Sequence, residues 1–569
     1  AGIDSLVDTP TNAAEPSDTG VGNEVIGNYC TWNPLDRTAS SPIVLANGNL
    51  DVSGTGSSTT WSPVNGTISM SSGKWYWEVS NSGTVYSWVG IAATLPDDGT
   101  GEKWPGRTAD SYGYSKDANK ANNNSTSSYG TNWQSTQATI GVAFDADNGT
   151  LTFYNNGVSQ GVAFTGIPTN DYRPCTSNFY TSATQSVNFG QRSWAYTAPS
   201  GYKALNTSSL STPTIADGSQ YFDTKLWTGD GASTRTISNY GFSPDFIWIK
   251  NRTTSGWQHV LYDQIRGAGT GSVTKSLSTD STRAEASGND TNHGYLSGYT
   301  SDGFNLVKGS QGGGDYVNHS GWAYVGWAWD GGTSTVTNND GSIAAQVRAQ
   351  PSAGFSIVTF NSGSDGSVGH GLNAKPGLVI MKNRDQAIDW RVWHQSFSSP
   401  QRDELYLNST GAVATAGIDV WGASGYPDNS TLWFRYNSTA GGGARNIVCY
   451  CFAPVAGYSA MGSYTGNGST DGPFVALSFR PRFVIIKRTD TSSDWYMFDT
   501  ARNSYNALTS ALFPNDAAGE ATNGVYAQDF VSNGWKIRSS QTQFNASGGT
   551  YIYYIVSENP FQANGGLAR

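Results

Sequence analysis

The chain has 569 residues, a formal net charge of −10, 13% charged residues, 13% aromatics and 69 glycines. Glycine is well above its usual ~7% and charge about half its usual ~25%, so the large apolar content excludes a disordered chain. The absence of any clustered Lys/Arg run argues against nucleic acid as a partner. No stretch reaches the ~18 apolar residues of a spanning helix, so no membrane insertion is expected.

Residues 1–40 begin "AGIDSLVDTPTNAAEPSDTG", polar and acidic, and are read as an extended N-terminal arm. They lack the basic-then-apolar pattern of a secretory signal, so none is expected. Abundant Ser, Thr, Asn and Gly favour turns over long helices. The expected class is therefore all-β: a β-sandwich over 41–205, then three related β-sandwich-type domains over 215–335, 350–455 and 456–569.

In the first sandwich "GKWYWEV" (Gly73 to Val79) alternates, with Trp75, Trp77 and Val79 on one face. "IGVAFDADNGTLTFYNNGVSQGVAF" (Ile140 to Phe164) turns twice at Asn-Gly, which accepts positive φ at both positions and marks hairpins. With "WVGIA" (88–92), "YRPC" (172–175) and "VNFG" (187–190), these segments resemble the SPRY domain. The resemblance implies a β-sandwich that binds proteins or other ligands through loops at one end, with no catalytic residues. The longest turn-rich insertion, about 94–133, carries the candidate ligand-binding residues Trp104, Arg107, Asn123, Tyr129 and Trp133. Aromatic platforms beside amides and a guanidinium suit sugars, and loops on a rigid scaffold commonly carry function.

The remaining chain repeats a phrase: "PDFIWIK" at Pro244, "PGLVIMK" at Pro376 and "PRFVIIK" at Pro481. Proline suits a strand's first residue, and four apolar residues in a row suit a strand buried on both faces. The closing lysine is expected to lay its stem along the core edge and keep its ammonium in water. A Trp follows seven or eight residues on (Trp257, Trp390, Trp495), then Tyr262-Asp263, Trp393-His394 and Phe498-Asp499. Two copies continue with "SDGFNL" (301–306) and "SNGWKI" (532–537), and all close on rich strands, "WAYVGWAW", "NIVCYCF" and "YIYYIV". Each copy is long enough to bury its own core, unlike a solenoid repeat.

Cys30, Cys175, Cys449 and Cys451 are too few for a disulfide scaffold, and no second cysteine pair has metal-ligand spacing. The histidines, at 259, 293, 319, 370 and 394, form no metal motif. "DADNG" departs from a calcium loop by lacking its final Glu, and no Ser elbow is present. No cofactor, metal or enzymatic activity is expected.

The arm "GIDSLVDTPTN" running on into "GNYCTWNPL" (27–35), the SPRY-like unit and copies containing "GFSPDFIWIK" (241–250) together resemble virion surface proteins of marine tailed bacteriophages, of the tail-fibre or spike type. That resemblance implies a virion structural protein on the particle surface. Its arm, residues 1–40, would dock to other virion proteins, and its β-domain loops would meet a host cell-surface glycan or protein. It also implies a homo-oligomer, often a trimer in fibres. A capsid-surface decoration protein and a host-glycan depolymerase are the alternatives. The depolymerase would need two carboxylates a few ångströms apart, and no such signature stands beside a Trp cluster.

Overall fold

The computed structural model describes residues 28–38, 43–54, 61–82, 87–97, 102–134, 137–179, 184–270, 273–285, 290–312, 315–422, 427–435 and 444–560. They are nearly all β. They fall into two compact units, one over the chain up to Thr212 and one over Pro213–Val475 and Phe479–Pro560.

The first unit is a sandwich of two seven-stranded antiparallel sheets. One sheet runs Trp32–Arg37, Ser62–Gly66, Arg173–Asn178, Ser87–Ala92, Ser111–Ser115, Asn119–Asn122 and Ser125–Ser128. The other runs Val158–Phe164, Thr150–Asn155, Thr139–Asp145, Lys74–Asn81, Thr184–Asn188, Asp51–Gly54 and Ile43–Ala46. The alternation read in "GKWYWEV" is realised: Trp75, Trp77 and Val79 enter the core with Ile140, Val142 and Phe144. Both Asn-Gly hairpins form.

The sandwich starts earlier than the sequence indicates. Trp32 is fully buried, and Asp36 makes a buried ion pair with Arg173, two strands away in the same sheet. Residues 28–37 thus belong to the sandwich and not to the arm, because a buried indole and a buried carboxylate both need this setting. The arm's residues 1–27 lie outside the described residues.

In the second unit the three copies share one strand order. In the first copy it is Phe222–Thr228, Ala323–Trp329, Phe246–Asn251, Val260–Asp263. In the second it is Phe355–Ser362, Arg445–Phe452, Leu378–Asn383, Arg391–His394, and in the third Ser459–Thr465, Thr550–Pro560, Phe479–Arg488, Trp495–Asp499. The repeated phrase is a central strand each time. Phe246, Leu378 and Phe483 stand opposite Asp263, His394 and Asp499 on one side. On the other they face Trp329, Phe452 and Val556. The gap between copies one and two is not a linker: Thr335–Asn338 and Ala345–Gln350 extend the second copy's sheet.

The three copies do not bury three separate cores. One face of the first repeated strand, Ile247 and Ile249, packs under a small second sheet with Ile237, Phe304 and Leu306. The other face, Phe246 and Trp248, enters a core shared by all three copies. There Phe246 stacks on Tyr450 at 4.2 Å, Phe222 lies 5.2 Å from Phe483 and Phe452 lies 4.8 Å from Tyr554. Aromatic burial of this size dominates packing energetics, which favours one fused core over three smaller ones.

Polar contacts close the copies into a ring. Lys250, Lys382 and Lys487 are fully buried. Their ammonium groups reach the carbonyls of Ala517, Thr282 and Thr410, each on a different copy. Each also binds its own copy at Trp257, Ile388 or Ser493. Three residues beyond each carbonyl, Glu520 N, Glu285 N and Val413 N donate to Arg252 O, Arg384 O and Thr489 O at 2.9, 2.8 and 2.9 Å. Four residues before it, Phe513 O, Ser278 O and Tyr406 O meet the rings of His259, Trp390 and Trp495 at 2.9, 2.7 and 3.1 Å. The first copy thus grips the third, the second grips the first and the third grips the second.

This overturns the expectation of a wet ammonium. The neighbouring copy's loop covers the strand end, and carbonyls replace water around the charge. Burial pushes Lys250 and Lys487 down to about 8 and Lys382 down to about 7. It also corrects the first copy's alignment: His259, not Trp257, occupies the place of Trp390 and Trp495.

A second set of contacts runs the opposite way round. Tyr450 donates to Asp263 at 2.8 Å, Trp327 donates to Asp499 at 3.1 Å, and His394 meets Tyr553 O at 3.1 Å. The variable residue of the repeated phrase joins in: Arg348 pairs with Asp245 across copies one and two, and Arg482 with Asp223 across three and one.

Candidate functional site

In the sandwich, the segment after Ser87–Ala92 folds back over the outer face of its own sheet. Val89 and Ile91 point into the core, so Trp88 and Gly90 face outward. Trp104 stacks on Trp88 at 4.4 Å with planes 13° apart. Two glycines allow the close approach: a Cβ on Gly113 would lie 2.1 Å from Pro105 O, and one on Gly106, at φ +106°, 2.5 Å from Ala121 O. Ser177 Oγ donates to Lys103 O at 2.7 Å, and Gly106 N donates to Ser111 Oγ at 2.9 Å.

Arg107 emerges from this segment half-buried, its guanidinium 5.8 Å from the Trp104 ring centre and bonded to Asn124 Oδ1. Asn123 and Asn124 form the two-residue turn between Asn119–Asn122 and Ser125–Ser128, with φ of 50° and 58°. Asparagine tolerates this left-handed backbone. The turn is tied to the segment by Asn123 N to Thr108 O and Asn124 N to Gly106 O. The result is a planar cation, backed by an indole and bonded to the Asn124 amide, on a rigid support. Such a group donates in fork geometry to carboxylates, carbonyls or sugar oxygens.

The five candidates therefore separate. Trp104, Arg107 and Asn123 come together, with Trp104 itself mostly covered at 7% exposure. Trp133 has no exposure and packs in the sandwich core, because its ring fills space beside Tyr114 at 6.0 Å. It cannot meet a ligand. Tyr129 is half-buried in a different cluster, its ring edge-on to Tyr114 at 5.2 Å and its hydroxyl donating to Gly161 O. Trp61 and Trp88 were not singled out by sequence, yet Trp61 packs against the Trp88–Trp104 pair and lies 5.1 Å from Phe179. Trp88 reads as an ordinary strand residue in "WVGIA", and only the glycine-permitted return of the segment gives it a partner.

Among the described residues, no group of three or more His, Cys, Asp or Glu is placed to hold a metal. The four cysteines are buried free thiols, with Cys451 pushed up to about 12 by burial. No helix among the described residues is long and apolar enough to cross a membrane.

Residues 217–560, the three-copy unit, match the family described as "Domain of unknown function (DUF7483)". The chain belongs to the DUF7483 family. The match spans all three copies as one piece, as the shared core does. Residues 74–192 match the SPRY domain family, so the DUF7483 unit is preceded by a SPRY-like sandwich. A human SPRY domain is similar at 17% identity and a TM-score of 0.23, over 27% of this chain and 98% of that one. The SPRY domain of human HERC1 is similar at 18% identity and 0.23, over 27% and 96%. The TRIM65 PSpry domain is similar at 20% and 0.23, over 28% and 89%. No curated protein matches.

Proposed function

We propose that this protein is a bacteriophage virion structural protein of the tail-fibre or spike kind, attached to the particle by its N-terminal residues and binding a host-surface receptor through β-unit loops. The observation that carries the binding part of this reading is the Arg107 surface, a guanidinium fixed by the Trp104 stack and the Asn123-Asn124 turn. Recognition groups held in place before the ligand arrives lose little entropy on binding. The three-copy ring supports the structural part, since it gives stiffness within one chain. The reading places the protein at the virion surface, in contact with other virion proteins, without catalytic turnover.

Binding of the labelled full chain to host cells tests the receptor part. The unmodified protein binds, and the R107A/N124A variant binds more weakly while melting normally. Failure of the unmodified protein to bind host cells would overturn the adhesive role. Antibody labelling of intact particles tests location, and unlabelled particles would overturn the virion assignment.

A further inference from the structure

The ring demands a carbonyl from each copy to meet its buried lysine, but it leaves the side chain at that position free to vary. The residues are Trp257, Ile388 and Ser493. A second such position precedes the last strand. Arg252 N, Arg384 N and Thr489 N donate to Ala323 O, Asn446 O and Thr550 O, which makes Trp322 the counterpart of Arg445 and Gly549. Only the first copy has tryptophan at both, and the two rings lie 5.5 Å apart.

Three further rings join them. His293 and Tyr316 stand edge-on to Trp257 at 5.3 and 5.8 Å, and His319 stacks on Trp322 at 4.0 Å. Trp257, Trp322, His293 and His319 are each half-buried, so the cluster meets solvent. Nine of the ten other indoles of this unit donate their N–H within the protein. Trp257 and Trp322 have no such acceptor among the described residues. Gln258 spends its carbonyl oxygen on Ser278 and Tyr316, which leaves its amide nitrogen as a donor.

We infer that this cluster on the first copy is a binding site for a neutral glycan. It rests on the receptor-binding reading and names a ligand class and a second surface for it. Indole faces take the C–H side of a sugar ring, while two indole N–H groups and an amide meet its oxygens. A cationic ligand also stacks on aromatics, but it offers no acceptor to the two indole N–H groups or to the Gln258 amide.

The test is calorimetry and tryptophan fluorescence on the full chain with cellotetraose, maltotetraose and chitotetraose, and with choline as the cationic control. Two variants carry the other copies' residues, W257S/W322G and W257I/W322R, so both place side chains the frame already accepts. At least one tetrasaccharide binds the unmodified chain, and both variants lose about tenfold or more in affinity, as removal of an aromatic anchor does. The inference is overturned if no tetrasaccharide binds at millimolar concentration, if both variants bind undiminished, or if choline alone binds. Normal host-cell binding without sugar binding would sink this site and spare the receptor reading. Sugar binding without host-cell binding would do the reverse.

Discussion

The first and third copies differ from the second at one buried position. Asp263 and Asp499 each pair with an arginine three residues on, Arg266 or Arg502, and all four side chains are closed to solvent. The second copy has His394 there, with Phe397 in the arginine's place. All three arrangements reach the next copy's closing strand, through Tyr450, Trp327 and Tyr553. The frame therefore specifies a polar atom at that place and not its charge. Where the atom is a carboxylate, a buried partner must neutralise it. Where it is an imidazole, burial holds it neutral, down to about 4, and an apolar residue suffices.

The largest expected effect breaks one solution without supplying the other. R266M leaves Asp263 buried and unpaired and costs about 3–5 kcal/mol by chemical denaturation. The double variant D263H/R266F, which carries the second copy's pair, costs less than R266M alone. An equal or larger cost would show that the two solutions are not interchangeable.

K382M removes a buried donor from the carbonyls of Thr282 and Ile388 and costs about 1–3 kcal/mol. It also changes pH dependence. The folded Lys382 releases its proton near 7, the unfolded one near 10.5. Between these values the unfolded chain binds more protons, so stability from this residue rises with pH. Denaturation between pH 7 and 10 shows a shallower rise in K382M than in the unmodified chain; an unchanged slope would contradict the burial of the charge.

His394 acts at lower pH. Its folded value of about 4 lies below the ordinary 6.5, so the unfolded chain binds more protons between them and stability falls on acidification through that window. H394N flattens this fall, and an equally steep fall would assign it to other groups. The smallest effect is in the sandwich. R107A, at a half-exposed surface, changes stability by about 0.5 kcal/mol or less, and a larger loss would make Arg107 a structural residue.

The repeated phrase was legible as a core strand because its four apolar residues need cover on both sides, and both sides are covered. What lay beyond reading was that one cover comes from the other copies. The same limit explains the lysines. A terminal lysine on a strand usually reaches water, and nothing in "FIWIK" announces the carbonyl of Ala517 far along the chain. A signal for the ring did exist. Leu277, Leu405 and Leu512 each stand five residues before the lysine's acceptor, in segments otherwise unlike one another. In the sandwich the hairpins and Trp75-Trp77 face were plain from alternation and Asn-Gly turns. The fate of Trp104 and Trp133 was not, since an aromatic in a turn-rich insertion packs or protrudes according to where the insertion lies down.

Hydrogen exchange on the full chain with and without K382M tests most directly whether the three copies are one body. A single shared core predicts that the slow amides of Ala323–Trp329, Arg445–Phe452 and the closing strand from Thr550 lose protection together, by a common factor. Faster exchange confined to the second copy's strands, with the other two unchanged, would contradict it.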